Sequence, residues 1–100
     1  MADVVLDYSV VFRYMGAMRE VRYAKDALRA LRKIARGDAQ RVREKVQQYA
    51  EDPDSLAANV KRLTGDSLLR LRVGDYRVIM DDDGTILLIV KVGHRREVYR

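Results

Sequence analysis

The sequence predicts an α+β domain in which a hairpin of two helices packs on one face of a small antiparallel β-sheet. Three observations carry that reading. Between residues 24 and 49 the apolar positions recur at helical spacing. From residue 68 onward they recur at strand spacing. Two tight-turn signals, "GD" at 74–75 and "DDG" at 82–84, then divide that second half into three strands. With 100 residues, the chain has room for one domain and one small core.

The elements follow in order. Residues 4–15 read "VVLDYSVVFRYM", rich in Val and Tyr with imperfect alternation, which fits a strand-like extension ended by Gly16. "MREVRYA", residues 18–24, alternates better: Val21 and Tyr23 share one face, Glu20 and Arg22 the other. A helix is expected from Lys25, its stripe formed by Ala24, Leu28, Leu31 and Ala35 with Ala27 and Ile34 beside them. Arg29, Arg32, Lys33 and Arg36 fall largely outside that stripe. Gly37 is expected to end this helix and Asp38 to cap the next. Ala39, Val42, Val46 and Tyr49 form the second apolar face, and Pro53 terminates it because proline cannot continue a helix. The short join makes the helices antiparallel neighbours. Residues 55–66 form a connector with a helical turn, tacked down by Leu56, Val60 and Leu63.

The meander comes next: "LLRLRV", "YRVIMD" and "TILLIVKV" are its strands. The last is apolar on both faces, as expected of a central strand. There are no internal repeats and no low-complexity segments.

Composition narrows the function classes. The chain has no cysteine and one histidine, which argues against disulfides, thiolate chemistry and a metal centre. No apolar run is long enough to span a bilayer, and Met1 to Gly16 lack the pattern of a secretory signal, so a cytoplasmic location is expected. The net charge of +5 draws such a domain toward phosphate polymers, anionic membranes or an acidic partner.

The charge has a pattern. In "LLRLRVGDYRV", Leu69, Leu71 and Val73 point one way and Arg70 and Arg72 the other. Arg77 follows across the turn, Lys61 and Arg62 precede the meander, and His94, Arg95 and Arg96 close the last strand. Like charges gathered on one small sheet repel, so an anionic ligand would explain them where folding alone would not. Guanidinium groups grip phosphate through paired hydrogen bonds. Arginines on an exposed sheet face are also ordinary, and Asp75, Asp81, Asp82, Asp83 and Glu97 are available as partners, so charge alone leaves both readings open. His94 and Tyr99 add groups that can move protons.

"LRLRVGDYRVIM" and the closing "VKVGHRREVYR", together with "NVKRLTG" and the basic helix hairpin, resemble the RelE branch of the RelE/ParE toxin superfamily, over residues 18–100. The resemblance implies a small sheet on a helix hairpin, and a toxin of a type II toxin–antitoxin system. It implies a metal-independent endoribonuclease that cleaves mRNA on the ribosome by attack of a 2′-hydroxyl on the adjacent phosphorus. The implied partners are a cognate antitoxin, mRNA and the ribosome, with no cofactor and no membrane. By position, Arg77 in "DYR" matches the arginine that grips the scissile phosphate. Arg95, with Arg96 as the alternative, matches the arginine of the last segment, and Tyr99 in "EVY" a tyrosine used for positioning or proton transfer. Some members carry lysines where this chain has Arg70 and Arg72. Arginine does not deprotonate, so proton transfer is expected from His94 and Tyr99, with Lys61 a further candidate. Arg70, Arg72, Arg96, Lys61 and Arg62 are the expected RNA-binding set.

Two other functions share this fold: a ParE-like inhibitor of DNA gyrase, and an inactive module that only binds antitoxin. The closing "EVY" favours the nuclease. Met18 falls where members commonly begin, which leaves residues 1–17 as an N-terminal extension, expected to add an edge strand.

Overall fold

The computed structural model describes residues 18–63, 65 and 67–98. The expected N-terminal strand lies outside these residues. The chain runs β1 (Glu20–Tyr23), α1 (Lys25–Lys33), α2 (Arg36–Glu51), a 3₁₀ helix (Pro53–Asn59), β2 (Val60–Arg62), β3 (Leu69–Val73), β4 (Tyr76–Asp82) and β5 (Ile86–His94). The helix hairpin and the three-strand meander are as expected. Among the described residues the sheet has five strands, in the order β1-β5-β4-β3-β2. It is mixed, because β1 runs parallel to β5 while the other neighbours are antiparallel. β5 is central, as its two apolar faces require. β2 is a three-residue edge strand, and it occupies part of the stretch read as a connector.

The core forms where the apolar faces of α1, α2, β3, β4 and β5 meet. Val42, Val46, Leu71, Val78, Met80, Leu87 and Ile89 are fully buried there. Along β3, Leu69, Leu71 and Val73 are buried, while Arg70 and Arg72 turn to the opposite face. On α1 the buried positions are Ala27 and Leu31; Leu28, expected in the stripe, is 36% exposed. The stripe is therefore rotated from the expected one, toward the side that Ala27 fills.

The join between the helices also departs from expectation. Gly37 does not end α1, and Asp38 does not cap α2. Instead Ile34 and Ala35 carry the extended link, with ψ of 167° and 141°, and Gly37 sits in the first turn of α2. The Ala39 N–H donates to Ala35 O at 2.9 Å, closing that turn. The extended backbone lets Ile34 keep its side chain against the core. Asp38, within the first turn of α2, is left to pair with Arg41 and to accept from the Tyr76 hydroxyl at 3.4 Å.

One irregularity sets the geometry of the site. The β4–β5 register shifts between Ile79 and Met80: Met80 faces Ile89, but Ile79 faces Lys91. Val90 is the extra residue of a β-bulge. Leu87 and Ile89 face the core before the bulge and Val92 faces it afterwards. The bulge thus inverts which residues of the strand end face the helices.

At the opposite end of β4, Asp82 ties three elements together. It accepts from Arg19 Nε at 2.8 Å, from the Tyr49 hydroxyl at 3.0 Å and from the Gly84 N–H at 2.9 Å. Burial alone would raise the Asp82 carboxyl, but the bonds from Arg19, Gly84 and Tyr49 outweigh it and hold the group below its ordinary value. Burial, and then the bond to Asp82, raise the Tyr49 phenol.

Candidate nucleic-acid interface

The sheet face turned away from the helices carries the cations in rows, because residues opposite one another on adjacent strands share a face. Arg72 lies directly opposite Arg77, which in turn lies opposite Gly93. One row along, Lys61 faces Arg70, Arg70 faces Ile79, and Ile79 faces Lys91. Lys61, Arg70, Arg72 and Arg77 line one groove of about 320 Å³, together with Ala58, Asn59 and Val60. Four of the residues expected to meet phosphate are brought together.

The alternative, that nearby carboxylates neutralise them, fails among the described residues for the row of Arg72 and Arg77. Asp82 is engaged by Arg19, Asp83 by the N–H groups of Thr85 and Ile86, and Asp75 lies 3.8 Å from Arg95. Among the described residues Arg72 has no ion pair. Arg77 Nη1 donates to the backbone carbonyls of Gly74 and Tyr76, both at 2.9 Å. Those bonds fix the guanidinium without cancelling its charge. The turn that supplies one of these carbonyls needs Gly74, whose φ of 59° disfavours a side chain. An arginine pair set face to face is destabilising by itself. An anion placed between the two would reverse the sign of that interaction.

The remaining residues fall elsewhere. Arg62 is opposite the buried Leu69, so it faces the helix side, where its charge offsets a small part of the rise of the Tyr49 phenol; its Nη1 reaches Ser67 O at 3.4 Å. Arg95 and Arg96 are exposed on the turn after β5. The Arg95 N–H donates to Asp75 O at 2.7 Å, which ties this turn to the β3–β4 turn. Tyr99 lies outside the described residues.

His94 is not brought to the groove. It lies opposite Tyr76 and meets that ring edge-on, with centroids 5.7 Å apart. Both rings line a separate pocket of about 310 Å³ on the helix side, with Asp38, Arg41 and Asp75. Burial, then the Asp38 charge and hydrogen bond, raise the Tyr76 phenol. His94 Nδ1 accepts the Arg96 N–H at 3.2 Å, so any proton on the neutral ring sits on Nε2. The physical reason for this placement is the bulge at Val90: simple alternation from Leu87 would have turned His94 toward the arginines.

Two residues that the sequence reading passed over also shape the groove. Asn59 lines it, but an asparagine ending a helical turn carries no sequence signal of its own. Gly93 occupies the Arg77 row with no side chain, and a Cβ there would lie 3.2 Å from Val98 Cβ and 3.3 Å from Val98 Cα. The turn after β5 therefore folds back over Gly93, and Val98 is 2% exposed beneath it.

A family model described as the ParE toxin of the type II toxin–antitoxin system parDE matches residues 21–99. The chain belongs to the RelE/ParE toxin superfamily. Among solved structures, this RelE-like chain is similar to the toxin–antitoxin complex RelBE2 of Mycobacterium tuberculosis. Identity is 27% and the TM-score 0.63, over 77% of this chain and 98% of that one. It is similar to the archaeal RelE–RelB complex of Pyrococcus horikoshii OT3, at 25% identity and a TM-score of 0.63, over 81% and 99% of the two chains. The fold is also that of the chromosomal ParDE system of P. aeruginosa. There the TM-score is 0.65 at 13% identity, over 79% of this chain and 98% of that one. No curated protein matches the chain.

Proposed function

We propose that this type II toxin is an endoribonuclease that cleaves mRNA on the ribosome, with the row of Arg72 and Arg77 gripping the scissile phosphate. The observation that carries this reading is the opposed arginine pair, without a carboxylate partner among the described residues, that lines a cationic groove. As the 2′-hydroxyl attacks phosphorus, negative charge grows on the non-bridging oxygens. Arg77, already held by two carbonyls, meets that charge without reorganising. Arg72 supplies the second clamp, while Lys61 and Arg70 hold the neighbouring backbone. Arginine cannot take the 2′-hydroxyl proton. Within the groove Lys61 is the side chain that can exchange one, and Tyr99 is the second proton-transfer group. His94, across the sheet, packs against Tyr76 and supports the strand end.

Primer-extension mapping of messages after brief expression tests the proposal. Cuts within codons of translated messages are expected for the wild type and absent for Arg77→Ala, with the antitoxin complex still forming. The antitoxin, a partner in the similar RelE–RelB complex, is expected here as an acidic or amphipathic segment.

The family model's description as a ParE toxin favours one second reading, inhibition of DNA gyrase. Blocked supercoiling by purified toxin, with messages left intact, would establish it in place of cleavage. Intact messages and unaffected gyrase would leave an antitoxin-binding module.

A further inference from the structure

The groove's charged side chains have a chemical limitation. Lysine and arginine are donors only, so Lys61, Arg70, Arg72 and Arg77 hold phosphate regardless of which base is attached. Among the described residues that line it, Asn59 is the one polar side chain that carries an acceptor as well as donors. Its backbone ends the 3₁₀ helix, held there by the Val60 N–H donating to Ala57 O. Among the described residues its amide has no hydrogen-bond partner. Continuing the β2–β3 register one step beyond Val60 and Leu71 puts Asn59 across from Arg72. Asn59, Arg72 and Arg77 thus run across the sheet in one line, with Asn59 about 10 Å from Arg77, two strand spacings away.

We infer that Asn59 is a specificity-determining residue that reads the base next to the phosphate held by Arg72 and Arg77. This rests on the nuclease reading above. A carboxamide matches a base edge with a donor and an acceptor side by side, and asparagine does so to adenine through N6 and N7. In single-stranded RNA those edges are free to be read. On that N7 edge guanine offers two acceptors and would be served by arginine instead. Read on this edge, the ligand at Asn59 is an unpaired adenine flanking the cleaved bond.

The test is sequencing of cut ends in cellular messages after brief expression of the wild type, Asn59→Ala and Asn59→Ser. Thermal melting confirms that each variant folds. The wild type is expected to favour adenine at one fixed position beside the cut, by about tenfold or more over guanine. Both variants should cut at positions where this preference is flattened to within about twofold. A merely structural role would slow all sites alike and leave the ratio among them unchanged. Wild-type cleavage with the same base preference in both variants would overturn the assignment and leave the nuclease reading standing. A wild type that cuts no message would overturn both.

Discussion

Replacing Gly93 with alanine sets two effects of opposite sign against each other. In a strand interior, glycine costs roughly 0.5–1 kcal/mol relative to alanine through lost chain entropy, so the substitution should stabilise. But the new Cβ would meet Val98 Cβ at 3.2 Å and Val98 Cα at 3.3 Å, inside the usual carbon–carbon separation of about 3.5–4.0 Å. Val98 is buried, and one of the two atoms is backbone, so the turn cannot yield by a rotamer change alone. Overpacking of this kind costs about 1–3 kcal/mol. The net expectation is a loss of about 1 kcal/mol, or a melting temperature lower by roughly 4–8 °C in a domain of this size. Circular dichroism melts of the wild type and Gly93→Ala measure it, each repeated in a chain ending at Glu97. Without Val98 the clash is gone, and Gly93→Ala should raise the melting temperature. A stabilised full-length variant, or an equal cost in both backgrounds, would show that the closeness of Gly93 to Val98 does not govern this turn.

Three further expectations follow from the same geometry. Arg72→Ala should leave stability unchanged or raise it by roughly 0.2–1 kcal/mol, because it removes a like-charge pair. On the proposed nuclease function it should also reduce the salt dependence of RNA binding by about 0.7 in the log–log slope. Asp82→Asn should cost roughly 1.5–3 kcal/mol near neutral pH, as a charged hydrogen-bonded acceptor is lost. The Asp82 carboxyl is held below its ordinary value in the fold. Its contribution is therefore full above the unfolded-state value of about 4 and lost as pH falls through the lower folded-state value. Urea titrations should show the wild type losing stability across that acidic window and the variant losing less. His94→Ala should lower stability by about 0.5–1.5 kcal/mol through the lost ring pair with Tyr76. On the proposed nuclease function it should leave the pH profile of RNA cleavage between pH 6 and 8 unaltered; a profile that loses an ionisation would return His94 to the chemistry.

How much of this was legible in the chain depended on how local the signal is. The alternation that buries Leu69, Leu71 and Val73 and turns Arg70 and Arg72 to the other face is written in five consecutive residues, and the structure repeats it. The helix hairpin and the turns at Gly74 and Gly84 were equally local. The direction of β1 was not, since nothing within four residues says that their partner, β5, will run parallel. The face taken by His94 was hidden for a related reason. A bulge at Val90 is a property of two strands in register, and it reverses every side chain after it. Arg62 followed the same logic, as β2 is too short to show an alternation of its own. Asn59 reaches the groove only because the 3₁₀ helix ends beside β3, a meeting of segments that no sequence spacing encodes.

The parallel pairing of β1 with β5 has a consequence for how the toxin comes into being. The hairpin holding Arg72 and Arg77 joins neighbours in sequence and can close as soon as residue 82 is available. β1 is made first among the described strands, yet it waits for residues 86–89 before it has a partner. Contacts spanning about two-thirds of the chain are the slow ones to form. A chain released early, before Ile89, would carry the arginine pair but lack the strand that closes the sheet. Such a fragment would expose β1 and the apolar face of β4 to aggregation and proteolysis. Translation through β5 is thus a condition for a lasting toxin, because β1 and β4 both find their partner there.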